Sequence, residues 1–76
     1  MLFKRFDEAI ADGRKAIELA PDDPRTHLYM GNALAAAGES DEARREFEQT
    51  LNLAQSNPDL YSYEQQQASH WLSNLR

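Results

Sequence analysis

Apolar residues recur at intervals of three and four along most of this 76-residue chain. That spacing is typical of helices that bury one face, so the pattern predicts four α-helices. We place the first at about residues 3–20, the second at 24–37, the third after Ser40, and the last at about 58–75. The sequence therefore predicts an all-α fold in a chain with room for one small domain.

Helix boundary signals agree with this division. Asp23 is suited to cap the second helix, and Pro24 fits its first position because the missing N–H would be unpaired there. Gly38 is expected to end that helix as the residue after its cap, and Ser40 is expected to cap the third. Asn57-Pro58 repeats the start signal, which predicts that the last helix begins at Pro58.

The chain partly matches itself when it is shifted by 41 − 7 = 34 residues. Asp41-Glu42-Ala43 then falls on Asp7-Glu8-Ala9, and Tyr63 falls on Tyr29. A fixed period of roughly 20–50 residues indicates a stacked array of repeated helical units.

The central unit resembles the tetratricopeptide repeat. That family has Trp-x-x-Leu-Gly-x-x-Tyr on the first helix of a repeat and Ala-x-x-x-Phe on the second. The positions of this pattern are occupied, at the right spacing, by His27, Met30, Gly31, Leu34, Ala43 and Phe47. The chain departs from the pattern at four positions. These are His27 in place of Trp, Ser40 in place of an aromatic, Thr50 in place of a small residue, and Gln55 in place of the family's proline. The resemblance implies four antiparallel helices in a right-handed superhelical stack. Residues 1–23 would be the second helix of a partial repeat, 24–57 a complete repeat, and 58–76 a capping helix.

Gly31 stands in the middle of a predicted helix, where glycine costs about 1 kcal/mol relative to alanine. We expect the close approach of a neighbouring helix to be the reason. Gln65 occupies the corresponding place in the last helix, which favours a terminal helix with a wetter outer face.

The resemblance also implies a concave groove, lined by the first helix of each repeat, that binds a peptide or partner protein. Aligned residue by residue, the groove would be lined by Arg25, Leu28, Tyr29, Asn32, Ala35, Ala36, Asp59, Ser62, Tyr63, Gln66, Ser69 and His70. Tyr29 and Tyr63 are the best candidates because they occupy equivalent sites and offer rigid contact area with a polar tip. The plainer alternative is that both tyrosines pack on neighbouring side chains or are half-exposed without a partner.

The net charge of −5 argues against nucleic acid and anionic membrane surfaces as partners. The best-known subgroup of the family holds terminal carboxylates with lysines, an arginine and asparagines. Only Asn32 fits that set, and Asp59 stands where the subgroup has a cation. The charge therefore disfavours an acidic ligand at that end.

Catalysis, a metal and a cofactor are not indicated. The sequence has no glycine-rich phosphate loop, no Gly-x-Ser-x-Gly and no helical His-x-x-x-His pair. His27 lies on an apolar stripe, where a core histidine with satisfied hydrogen bonds is the better interpretation. His70 is expected to face the groove or solvent. We predict a non-catalytic module without cofactors.

Two alternatives stay open for its role. An apolar face formed by Phe3, Phe6, Ile10 and Ile17 is a candidate for self-association. The chain is also consistent with a scaffold segment of a larger multidomain protein. The absence of cysteine, of an apolar signal-type stretch after Met1 and of a long apolar run predicts a cytoplasmic location.

Overall fold

The computed structural model describes residues 2–75, with side chains from residue 5 onward. It contains four helices: α1 (Leu2–Leu19), α2 (Pro24–Ala36), α3 (Ser40–Ala54) and α4 (Ser62–Asn74). Within residues 2–75 there is no strand. The predicted all-α fold is therefore confirmed.

Each helix packs against the next helix along the chain, and α2 additionally contacts α4. In the described part of the chain α1 contacts α2 alone, whereas α3 lies between α2 and α4. This arrangement is a stack of helical hairpins. It brings α2 and α4, the two helices of the first type, side by side in one layer.

The start of α2 follows the prediction. Asp23 has an extended backbone (φ −92°, ψ 117°), and its Oδ1 accepts a hydrogen bond of 2.9 Å from the Arg25 backbone N–H. Pro24 occupies the first turn, where it needs no hydrogen-bond acceptor. This cap fixes where the second helix begins.

The end of α2 explains why the predicted cap of α3 is wrong. Gly38 has φ 85°, and its N–H donates to the Ala35 carbonyl at 3.1 Å while the Glu39 N–H donates to Leu34 at 2.9 Å. These two bonds form a Schellman motif, which the left-handed glycine permits. Because the motif already holds Glu39, the chain enters α3 at once, and Ser40 is its first residue rather than its cap.

The predicted start of α4 at Pro58 is also wrong. Asn57 does begin one helical turn, since its Oδ1 accepts from the Leu60 N–H at 3.3 Å and its carbonyl accepts from Tyr61 at 3.0 Å. Regular helix begins only at Ser62. The likeness of Asn57-Pro58 to Asp23-Pro24 therefore produces a turn but no continuous helix.

The core lies between α2, α3 and α4. Phe47 on α3 is fully buried, and its ring stacks on Trp71 of α4 with centroids 5.4 Å apart and planes 6° apart. A Cβ built on Gly31 would lie 2.6 Å from Phe47 Cε1. The close helix approach expected at Gly31 is thus confirmed, and its partner is Phe47.

Candidate functional site

The layer formed by α2 and α4 carries two exposed tyrosines. Tyr29 on α2 is 45% exposed, and Tyr63 in the first turn of α4 is 62% exposed. Aromatic rings of this size are usually largely buried in folded proteins. The exposure of both rings on two contacting helices therefore leaves a large aromatic area accessible at the surface.

Most of the predicted groove residues are exposed, as these tyrosines are. The exposed ones are Arg25, Asn32, Ala36, Asp59, Ser62, Gln66, Ser69 and His70, and Ala35 is half-buried. Leu28 departs from the prediction: it is 7% exposed and belongs to the core cluster. The reason is that α2 contacts three helices, which leaves a narrower arc open to solvent than a helix at the edge of the stack would have. Leu28 therefore belongs to the core and not to the exposed surface.

Arg25 is the one charged residue of α2, and it is bound to the residue that caps its own helix. Its Nη2 lies 2.7 Å from Asp23 Oδ2, and its Nε donates to Asp23 Oδ1 at 3.0 Å. The side-chain hydrogen bond from Arg25 lowers the pKa of the Asp23 carboxyl, with partial burial opposing that shift. The same bond raises the pKa of Arg25, and the carboxylate charges of Asp23 and Glu64 act in the same direction. The cation at this end of the surface is therefore already partly neutralised.

Charged residues are rarer on α2 and α4 than on the rest of the described chain. Within Pro24–Ala36 the charged residue is Arg25, and within Ser62–Asn74 it is Glu64. The remaining described charges lie mostly on α1, on α3 and in the loops. The exposed part of α2 and α4 is consequently an aromatic and uncharged polar surface.

His27 is a core residue whose two ring nitrogens both have partners. The residue is 8% exposed, Nδ1 lies 2.7 Å from Glu46 Oε1, and Nε2 lies 2.7 Å from the Pro21 carbonyl oxygen. The prediction of a satisfied core histidine is confirmed. The sequence analysis missed Glu46 as the partner, because nothing in the spacing distinguishes it from the other acids of α3.

Other chemistry has little support in the described residues. Among them, no group of three or more His, Cys, Asp or Glu side chains is arranged to hold a metal ion. His70 is exposed, with Asn74 Nδ2 3.5 Å from its Nε2. A surface depression at the start of α3 is lined only by the consecutive residues 38–42. Within residues 2–75, no helix has the length and apolar character needed to cross a membrane.

Comparisons with known proteins agree with this architecture. The family model described as tetratricopeptide repeat matches residues 1–66. Two uncharacterized TPR repeat-containing proteins of Arabidopsis thaliana are each 36% identical over 58 residues, which is 76% of this chain and 7% of theirs. The chain thus spans a small part of the length of these relatives. No solved structure gives a significant match. Tetratricopeptide repeats generally bind proteins or peptides and are typically non-catalytic. With the match over most of its length and the stacked helical hairpins described above, the chain belongs to the tetratricopeptide repeat family.

Proposed function

We propose that this chain is a non-catalytic interaction module that binds a peptide or partner protein on the surface of α2 and α4. The observation that carries the proposal is the exposure of Tyr29 and Tyr63 on two contacting helices. Tyrosines are enriched among residues that dominate binding energy, since they bury a large area at low conformational cost and keep a hydroxyl for hydrogen bonding.

The polar groups around the tyrosines suit an uncharged stretch of ligand. Asn32 and Gln66 are exposed on the same two helices and offer both donors and acceptors. Arg25 is engaged by Asp23, while Glu64 and Asp59 lie on the α4 side. An acidic ligand would meet carboxylates there with no unengaged cation on these helices to offset them. We therefore infer a neutral or basic peptide segment.

The core beneath this surface supports pre-organisation. Leu28 of α2 is buried in the core, and the ring of Trp71 on α4 stacks on the ring of Phe47 on α3. A partner would then meet helices that need little reordering, which lowers the entropic cost of binding.

The proposal is tested by selecting peptides from a random display library on the immobilised chain and measuring their affinity in solution. Tyr29→Ala and Tyr63→Ala should each lower the affinity of the selected peptides at least about tenfold, as truncation of a binding hot spot does. The matched control is Leu19→Ala, which removes an apolar side chain that is 79% exposed on α1. The proposal would be contradicted if Leu19→Ala lowered the affinity of the selected peptides while neither Tyr29→Ala nor Tyr63→Ala did.

Because the chain spans 7% of the length of its relatives, a longer protein with these repeats would hold any catalytic activity elsewhere. The repeats would then serve as the scaffold that recruits a partner. Transfer of the tyrosine substitutions into such a protein should reduce partner binding and leave an activity measured on a small soluble substrate unchanged.

A further inference from the structure

The exposed surfaces of α2 and α4 present the same two kinds of side chain at the same spacing. Tyr29 is followed three residues later by Asn32 on α2, and Tyr63 is followed three residues later by Gln66 on α4. All four residues are exposed. Because residues three apart on a helix are neighbours on its surface, each helix offers one aromatic ring beside one amide. We call these two sets the aromatic–amide pairs.

The two pairs lie in equivalent places on helices that pack together. Leu34 and Ala68, which are 34 residues apart, are buried in the same core cluster, so the covered sides of α2 and α4 correspond as the exposed sides do. Near the start of both helices, the carboxylate charge of Glu64 is close enough to Arg25 to raise its pKa. Since α2 contacts α4 and packed helices have axes about 8–10 Å apart, the two pairs should be separated by about that distance.

The exposure of the pair on α2 does not depend on where the chain ends. This helix contacts α1, α3 and α4, and Tyr29 is nevertheless 45% exposed. The aromatic–amide pair is therefore a surface that remains open in a complete repeat with helices on both sides.

We propose that the peptide bound on this surface is a proline-rich segment in the polyproline II conformation, with a basic residue at the end that lies over α4. This inference rests on the proposed function, since it names the ligand of the same surface. A polyproline II helix has three residues per turn and rises about 3.1 Å per residue, so the same face returns about every 9.3 Å. One proline ring could then contact each tyrosine, with two residues between the prolines.

Other peptide conformations fit the spacing less well. A β-strand presents the same face every second residue, about 6.6–6.8 Å apart, which is shorter than the separation of the helices. An α-helix presents the same face after two turns, about 10.8 Å apart, and its backbone groups are bonded to one another. An α-helical ligand would thus leave the Asn32 and Gln66 amides without backbone partners.

Hydrogen bonding favours the same ligand. The polyproline II backbone has no internal hydrogen bonds, and proline has no N–H, so such a segment presents mainly carbonyl acceptors. Asn32 and Gln66 each have two amide N–H donors, and the hydroxyl groups of Tyr29 and Tyr63 add one donor each. Aromatic rings that pack on proline while neighbouring polar groups bind the backbone are a general way to recognise this conformation.

Charge determines which end of the ligand should be basic. On α2 the cation Arg25 is already paired with Asp23, with 2.7 Å between Arg25 Nη2 and Asp23 Oδ2. Asp59 is exposed just before α4, Glu64 lies on it, and Ser62–Asn74 contains no lysine or arginine. A lysine or arginine of the ligand would therefore be attracted to the α4 end of the surface.

Titration of synthetic peptides into the isotope-labelled intact chain, followed by NMR, tests the period directly. Two peptides of the same composition, about three polyproline II turns long and with one terminal lysine, place their prolines either three or four residues apart. The first should bind at least about tenfold more tightly, because the second can place a proline on only one tyrosine at a time. Exchange of the lysine for glutamate should weaken binding further. Equal affinity of the two proline spacings would overturn the proposal.

Amide variants test the hydrogen bonds to the ligand backbone. Asn32→Ala and Gln66→Ala should each lower the affinity of the better-binding peptide about fivefold, the range for a neutral hydrogen bond. The matched control is Asn52→Ala, since Asn52 is an exposed amide on α3 and its loss should leave the affinity unchanged. Circular dichroism checks that each variant retains its helices. If Asn52→Ala weakened binding as much as the other two, the peptide would be bound elsewhere and the proposal would be wrong.

Peptides selected from the random library separate failure of this inference from failure of the proposed function. Selected peptides that lose affinity in Tyr29→Ala and Tyr63→Ala and have prolines at three-residue spacing support both. Peptides that depend on the tyrosines but lack this spacing overturn the polyproline ligand and leave the interaction surface in place. If no selected peptide depends on either tyrosine, both are overturned.

Discussion

The ring of Phe47 lies directly against the backbone of Gly31, in a gap that leaves no room for a methyl group. A Cβ at position 31 would be 2.6 Å from Phe47 Cε1 and 2.8 Å from Cδ1. The ring cannot easily retreat, because it is fully buried and stacked on Trp71. The glycine is thus the counterpart of the aromatic ring rather than a flexible point in α2.

Gly31→Ala should therefore destabilise the fold by up to about 2 kcal/mol. Overpacking of a filled core costs about 1–3 kcal/mol, and the better helix propensity of alanine returns about 1 kcal/mol of it. Urea unfolding followed by Trp71 fluorescence measures this, since Trp71 is the single tryptophan and touches Phe47. Gly13→Ala is the comparison, because the nearest atom there is the movable Met30 Sδ. An increase in stability for Gly31→Ala would refute the close contact.

Substitution of His27 should be costly because its ring joins two parts of the chain. His27→Phe keeps an aromatic ring but removes the two ring nitrogens that contact Glu46 Oε1 and the Pro21 carbonyl oxygen. We expect a loss of about 2 kcal/mol, the range for a buried polar group deprived of its partner. Glu46→Gln retains a polar side-chain group that can face His27 Nδ1, so it should cost less. Chemical denaturation of both variants and of the double variant gives the coupling energy, and a coupling near zero would contradict the contact.

The Asp23 carboxylate should make the fold sensitive to acid. The hydrogen bond from Arg25 lowers the pKa of Asp23 in the folded chain below its ordinary value of 3.8. The carboxylate form is therefore favoured by folding, and its contribution is fully present above pH 3.8. As the pH falls below 3.8 through the folded pKa, protonation removes that contribution.

Unfolding free energy measured between about pH 2 and pH 6 checks this linkage. Asp23→Asn should remove the part of the acid destabilisation that arises from this carboxyl. Asp22 is exposed, and Asp22→Asn makes the same change in charge but should leave the acid destabilisation unchanged. Identical pH profiles for Asp23→Asn and the original chain would rule out Asp23 as the group responsible.

Sequence reasoning predicted the helices best where local chemistry decides the outcome. Asp23, Pro24 and Gly38 act within one turn of the backbone, and each has the role that its residue type indicates. Leu28 was misplaced because its burial depends on how many helices surround α2, which no local pattern encodes. Glu46 was missed as the partner of His27 for the same reason: the two residues are 19 positions apart, and only the packing of α3 on α2 brings them together.

We expect the irregular start of α4 to arise from the charges at positions 57 and 59. Asp23 both caps α2 and is bridged by Arg25, two residues later. At the counterpart positions the chain has Asn57 and Asp59, so the cap is neutral and its neighbour has the wrong sign for a bridge. Only a single turn forms before regular helix begins at Ser62.

Replacement of this pair by the one at α2, Asn57→Asp with Asp59→Arg, should extend α4 back to Pro58. The gain should be about 1 kcal/mol, typical of a good helix cap, which raises the melting temperature by about 4–8 °C in a domain of this size. Backbone chemical shifts of residues 59–61 report the new turn directly. Asp59→Arg alone serves as the control, because it reverses the charge at position 59 while position 57 has no carboxylate to form an ion pair with the arginine. If the double variant gains no more than this control, the missing bridge is not what delays α4, and the cause lies in how the loop packs against α2 and α3.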